Sequence, residues 1–395
     1  MPEDESREFD LVLLGATGFT GGLTADYLAE HVPPGCRWAL AGRNQGRLEA
    51  VRDRLAQVDP ALAELPLLHA DVIDEESLAD VASRARVVIT TVGPYLEHGA
   101  PLVAACAKAG TDYVDLTGEP EFVDRMYVEH HAEAVASGAR LVHACGFDSI
   151  PHDLGVLFTV QQLPEGLPLT VRGMVRSNAM LSGGTLASAL TAISRGAQMR
   201  KASAERRRLE PRPASGRRVR STARRPHFDE QAGYWLVPLP TIDPLVVRRS
   251  AAALERYGPQ FTYSHYAAVK ALPKVVAGIA GVGALGLAAQ VAPLRRALQS
   301  RLPQGQGPSE ERRARSWFSV RFIGEGGGRT VQTEVRGGDP GYTETARMLA
   351  ESALCLAFDD NPSTAGQVTT AVAMGEALLP RLQRAGLVFE VHSST

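Results

Sequence analysis

The sequence predicts an α/β protein in which a doubly wound parallel sheet is joined to a second, mixed α+β domain. Three observations predict it. In the first 146 residues, apolar runs alternate with helix-like segments across short connections. Those runs are apolar almost throughout rather than at every second residue, the pattern of parallel strands covered on both faces. Beyond about residue 155 the alternation stops. Regular β-α alternation of this kind builds a Rossmann-type sheet, and its loss marks a differently built second part.

Taken in order, the strands are read at DLVLLG (10–15), RWALAG (37–42), LPLLHAD (65–71), RVVITTVG (86–93), TDYVDLTG (111–118) and ARLVHACG (139–146). The helices fall at about 18–31, 44–57, 75–84, 99–109 and 121–136. Directly after the first strand, LVLLGATGFTGG places Gly15, Gly18 and Gly21 three residues apart. Gly15 permits a tight turn, Gly18 lets backbone amides approach a pyrophosphate at the helix N-terminus, and Gly21 lets the helix sit close to the sheet. Thr17, Phe19 and Thr20 complete this dinucleotide-binding turn. The second strand ends in Ala41-Gly42-Arg43-Asn44, where an NAD-binding domain usually carries an acid for the ribose. A guanidinium there pairs with a 2′-phosphate, so Arg43 and Asn44 point to NADP(H). Asp71 and Val72 close the third strand on the adenine side, and a turn or cap role for Asp71 stays open beside that reading. Gly93, Pro94 and Tyr95 follow the fourth strand and Asp115–Glu119 end the fifth, so both turns face the ribose and nicotinamide.

CGFDSIPHDLG (145–155) opens the next helix. Pro151 suits its first turn, Ser149 can cap it, and Asp153 favours its positive end. That account leaves Asp148 and His152 without a local role, at the point where the chain leaves the cofactor domain. They are candidates for the substrate side, with a structural role open beside that reading.

The domain boundaries follow: 1–150 for cofactor, 151–340 for substrate, and 341–395 as C-terminal helices returning to the first domain. Within the second part, 169–178 reads as a strand, 183–199 as a helix, and 316–325 with 328–337 as a hairpin about Gly326-Gly327. Residues 341–358 and 365–386 read as amphipathic helices. The stretch 195–226 holds twelve basic residues against Glu205 and Glu210 and reads as a mobile, solvated loop, with an anionic lipid surface or an acidic carrier as its alternative partners. The apolar segment 275–292 is short and rich in Gly and Ala, so it reads as a buried helix, with an interfacial anchor or the wall of an acyl pocket next. Tyr266 and Lys270 match the Y-x-x-x-K of short-chain dehydrogenases, but lie far beyond the cofactor domain in which that pair must sit.

Composition sets the outer bounds. The net charge of −2 and the lack of an aromatic stacking pattern among the cations argue against nucleic acid as partner. Four scattered cysteines, none in a C-x-x-C pair, argue against a disulfide framework or a metal centre. With an acidic N-terminus lacking an apolar h-region, the expected location is the cytoplasm, with peripheral contact at the inner membrane face as the alternative.

The motifs GATGFTG (15–21), ALAGR (39–43), GPY (93–95), GTDYVDLTGE (110–119), CGFDSIPHDLG (145–155), YGPQFTYSHYA (257–267) and GDPGYTETARMLAESALCLA (338–357) carry a resemblance over nearly the whole chain. The chain resembles the saccharopine dehydrogenase-like oxidoreductases and, within them, the trans-acting enoyl reductase group. The resemblance implies an NADPH-dependent enzyme that saturates an enoyl thioester on an acyl carrier protein or CoA, working beside a polyketide synthase in polyketide or lipid biosynthesis. The chemistry then needs a group to polarise the thioester and protonate the α-carbon, for which Tyr95, Asp148, His152 and Tyr266 are the candidates. Two alternatives stand beside it. One is a saccharopine-type reductase of an amino-acid imine, needing arginines such as Arg172, Arg176 and Arg248 for α-carboxylates; the other is a non-catalytic NADP-binding protein at a membrane or synthase.

Overall fold

The computed structural model describes residues 7–179, 191–192, 194–213, 216–273, 275–276, 278, 281 and 307–394. Its first part runs β1 (Phe9–Leu14), α1 (Phe19–His31), β2 (Trp38–Gly42), α2 (Gln45–Leu55), β3 (Leu67–His69), α3 (Glu75–Arg84), β4 (Ala85–Thr90), α4 (Tyr95–His98), α5 (Ala100–Ala109), β5 (Asp112–Val114), α6 (Pro120–Ser137) and β6 (Arg140–Val142). Then follow α7 (Ile150–Val160), β7 (Leu169–Ser177), α8 (Gly196–Leu209), β8 (Arg218–Ser221), β9 (His227–Asp229), β10 (Tyr234–Pro238), α9 (Asp243–Ala253) and β11 (Gln260–Val269). The chain closes with β12 (Phe318–Gly326), β13 (Arg329–Gly337), α10 (Thr343–Phe358), β14 (Gly366–Val368), α11 (Thr370–Ala373), α12 (Gly375–Arg384) and β15 (Val388–Ser394).

The first sheet has the order β14-β6-β5-β4-β1-β2-β3, and its neighbours pair in parallel. All six residues of β1 are buried, as a strand covered on both faces requires. Helix α10 explains part of that cover. It is buried at nearly every position from Ala346 to Ala357 and packs against α1 and β4, which its mostly apolar side chains allow, with Glu351 paired to Arg381. The second sheet runs β15-β13-β12-β7-β11-β10-β9, with β8 paired to β11 beside β10. Phe318, Val320 and Phe322 of β12 alternate into the core beneath α7, while Ser319 and Arg321 bond Glu334 on the other face.

Three sequence expectations change. The hairpin turns at Gly327-Gly328 rather than one residue earlier, because both central positions need positive φ and these two glycines take 60° and 77°. Residues 365–386 are not one helix: Gly366, at φ 88°, turns the chain so that Gly366–Val368 adds a seventh strand beside β6, and two helices follow. The basic stretch is not a loop throughout. Helix α8 and strand β8 occupy much of it, since some of its cations are part of the packing. Residues 183–190 of the expected helix 183–199, and nearly all of 275–292, lie outside the described residues. Among the described residues, no helix is long and apolar enough to cross a membrane.

Candidate active site

The glycine turn is built as a phosphate cradle. Gly15 sits at φ 101°, and a Cβ on Gly21 would lie 2.1 Å from the Gly15 carbonyl oxygen, so the helix packs at a distance only glycine allows. The Thr91 hydroxyl donates to the same oxygen at 3.2 Å, fixing the end of β4 against the turn. Gly18 caps α1 with no side-chain bond, and no acid lies in the first turn, so the amides of Phe19 and Thr20 are open to an anion. Thr17 is exposed at the tip. Phe19 meets Tyr342 edge-on at 5.0 Å, which ties the turn to the start of α10. These residues fit a dinucleotide pyrophosphate.

After β2, Arg43 is exposed with no ion-pair partner among the described residues, while Asn44 caps α2 by accepting from the Arg47 amide at 3.0 Å. Asp71 bonds locally: its carboxylate accepts from the Ile73 amide and its own amide donates to Ser77, a turn that leads through half-buried Val72 to the Asp74 cap of α3. Gly93 and Pro94 lead directly into α4, and Glu119 accepts from the Tyr95 and Leu96 amides at 3.3 and 2.9 Å, capping that helix across the sheet edge. Tyr95 itself is buried. Its hydroxyl donates to the Thr90 carbonyl and accepts from the Leu116 amide, both at 3.1 Å, so it fastens β4 to β5 with its one proton committed.

The ends of β5 and β6 are held by Asp115. Its carboxylate accepts from the Tyr113 hydroxyl, the Thr117 and Ala144 amides and the His143 ring, at 2.7–3.0 Å. Ala144 thereby keeps φ at 60°, a conformation costly for a residue with a Cβ, in the turn that presents Asp148. The Asp148 carboxylate lies against Gly118, where a Cβ would come within 2.8 Å of it. Burial, reinforced by the charge of Asp243, pushes its pKa up to about 6.

Asp243, the first residue of α9, is the centre of a buried cluster. His152 Nδ1 lies 2.8 Å from one of its oxygens, and His265 Nε2 lies 3.4 Å from the other. The Tyr263 hydroxyl is 2.9 Å from His265 Nδ1. The pairing holds the Asp243 carboxyl well below the usual range despite burial, while burial pushes His265 down, so His265 is neutral and accepts from Tyr263. The three donor sets lie within 4.8 Å of one another, a closeness that the His–Asp pairing accounts for. His152 Nε2 is buried without a hydrogen-bond partner among the described residues.

Asp148 and His152 therefore come together, and Tyr266 does not join them. Alternation along β11 sends Tyr263 and His265 to the α7 side and Tyr266 to the other, where it packs with Met174, Leu236 and Ile323 and accepts from the Arg224 amide. Sequence reasoning passed over Asp243 and His265. The second was legible, since Tyr263 and His265 stand two apart in a strand. Asp153 and Ser149 also differ from expectation: Ser149 makes no cap bond, and Asp153 caps α11 instead, accepting from the Thr370 hydroxyl and Ala371 amide. Of the arginines considered for α-carboxylates, Arg172 is taken by Asp229, Glu325 and Gln231, and Arg176 lies over Tyr234 and Trp317. Both alternate with Gly173 and so face away from His265. Arg248, on α9, lies in the field of Arg206 and Glu210.

Residues 11–142 match the saccharopine dehydrogenase NADP-binding domain. The fold as a whole is similar to that of apo saccharopine dehydrogenase (L-Glu forming) from Saccharomyces cerevisiae, with a TM-score of 0.56 at 13% identity over 97% of this chain and 99% of the other. The trans-acting enoyl reductase of Mycobacterium ulcerans is 39% identical over 97% of each chain. That of Mycobacterium bovis is 40% identical over the same shares. Identity of this extent, together with a glycine turn shaped for a pyrophosphate, places the chain in the trans-acting enoyl reductase family of NADPH-dependent oxidoreductases, built on the saccharopine dehydrogenase NADP-binding domain.

Proposed function

We propose that this chain reduces the double bond of an enoyl thioester presented in trans, on an acyl carrier protein or CoA, for a polyketide or lipid synthase, with Asp148 as the proton donor. The observation that carries the proposal is a carboxyl group with its pKa raised to about 6, set against Gly118 at the carboxyl edge of the sheet. Bound NADPH would supply the hydride, held by the Gly15–Gly21 turn at its pyrophosphate and by Arg43 at its 2′-phosphate.

As the β-carbon gains hydride, negative charge passes to the α-carbon and the thioester oxygen. The Asp148 O–H gives its proton to the α-carbon, completing the saturated product and leaving a carboxylate to be reprotonated. Asp243 acts as a positioning residue. Its fixed negative charge keeps the Asp148 proton in place, and its bond to His152 orients the first turn of α7 directly beyond Asp148.

Steady-state turnover of an enoyl thioester with NADPH against pH tests this. The donor must be protonated, so kcat falls as pH rises above about 6. Asp148→Asn is expected to lower kcat by roughly 10²–10⁴-fold and to abolish that limb. An Asn variant with wild-type kcat and an unchanged limb removes Asp148 from the mechanism.

A further inference from the structure

Nine of the twelve cations of residues 195–225 fall into two groups. The inward ones are structural. Arg195 pairs with Glu121 at 2.6 Å. Arg206 is 2% exposed and meets equally buried Asp124 of α6 at 2.5 Å, with Glu210 as its second partner. Arg217 donates to the carbonyls of Ala251, Ala252, Leu254 and Gly258, at 2.8–3.2 Å, and so closes the C-terminal end of α9.

The outward ones are organised as well. Arg207, Arg208 and Arg212 are exposed at and beyond the end of α8, next to Leu209, which is 59% exposed. Along β8, Arg217 and Val219 turn inward while Arg218 and Arg220 turn outward, and Arg224 continues the same parity. None of these six outward arginines has an ion pair among the described residues, in a protein where most buried carboxylates are matched to an arginine or histidine. Strand β8 follows β11 in parallel, Arg218 opposite Gln260 and Arg220 opposite Thr262. Beyond it the Thr222 hydroxyl meets Ser264 at 3.1 Å and the Arg224 amide meets Tyr266 at 3.0 Å. The cationic row therefore ends alongside Ser264 and Tyr266, which flank His265 in β11 but lie on the opposite face of the sheet from it.

We infer that the outward arginines of α8 and β8 form a docking surface for an acidic acyl carrier domain, which binds along their row. The inference rests on the proposed enoyl thioester reaction. Its chemistry is charge complementarity. Six exposed guanidiniums without ion pairs among the described residues offer bidentate sites to the carboxylates of an acidic helix, and exposed charges of this kind mainly raise the rate of encounter and fall off with salt. An embedded set that holds the scaffold beside a free set that faces out is the arrangement such a face needs, and a solvated loop needs neither.

The test uses the full chain, a strongly acidic holo acyl carrier domain loaded with a but-2-enoyl group, and the same acyl group on the uncharged N-acetylcysteamine. One variant replaces Arg218, Arg220 and Arg224 by Gln; a second replaces Arg207, Arg208 and Arg212 by Gln, so that failure of one to fold leaves the other. Carrier binding, followed by fluorescence anisotropy, is expected to weaken at least tenfold in each at low salt, with the wild-type association rate falling as salt rises. Turnover of the N-acetylcysteamine thioester is expected to stay as in wild type. Equal carrier affinity in wild type and both variants overturns the inference, as does wild-type binding to vesicles of anionic phospholipid with none to the carrier. If the wild type reduces neither thioester, the enoyl reaction itself is refuted, while the anisotropy measurement still decides the docking face.

Discussion

At the scale of the residue, we propose that cofactor choice rests on Arg43, exposed and without an ion pair among the described residues where an acid would repel a 2′-phosphate. Arg43→Ala is expected to lose about 1.5–3 kcal/mol of NADPH affinity, the range for hydrogen bonds to charged groups, with little change for NADH. Titration of both cofactors checks it, and equal losses for the two would remove Arg43 from 2′-phosphate recognition. Asp243 supports a second expectation. Its charge helps raise the Asp148 pKa, so Asp243→Asn is expected to move the descending limb of kcat to lower pH while leaving Asp148 in place. A limb unmoved in that variant would show that Asp148 is set by burial alone. The positions of the glycines and of Arg43 were legible in the sequence because they are local: a turn, a helix start, a strand end. For Tyr95 the sequence position gives the right edge of the sheet and says nothing of its hydroxyl, which bonds Thr90 and Leu116.

At the scale of the element, α8 shows why a charge-rich segment was legible only in part. Composition alone makes it a solvated loop, yet Ala202 and Arg206 recur one turn apart on the side that meets α6, and Arg206 finds Asp124 there. Buried ion pairs are costly to break because one charge is left without a partner. Arg206→Ala is therefore expected to destabilise the protein by about 3–5 kcal/mol, seen as a lower midpoint in urea, whereas Arg207→Ala, one residue away and exposed, is expected to be near neutral. Comparable midpoints for the two variants would mean that α8 is held by something other than this pair.

At the scale of the molecule, the C-terminal segment joins both sheets, and this is the feature the sequence concealed most. The strand β14 is three residues within a run rich in Ala and Thr, so no local pattern separates it from the helix that follows, and only its place beside β6 defines it. The same holds for the site, where Asp148 and His152 from one end of the chain meet Asp243 and His265 from more than 90 residues later. Between β14 and β15 the segment is fastened by Asp153 to Thr370 and Ala371, by Ser250 to Thr369, and by Arg381 to Glu351. The proposed cofactor contacts lie elsewhere, in the turns at 15–21, 43–44 and 93–94. Removing residues 387–395 should therefore separate stability from binding. It strips Leu387 and Phe389 from the core, at about 1.5–3 kcal/mol each, and leaves β13 as an open edge inviting association. The truncated chain is expected to melt lower and to aggregate sooner, while binding NADPH with unchanged affinity at low temperature. Loss of NADPH affinity in a truncated chain that still melts cooperatively would show that the second sheet sets the cofactor site, against the division of labour described above.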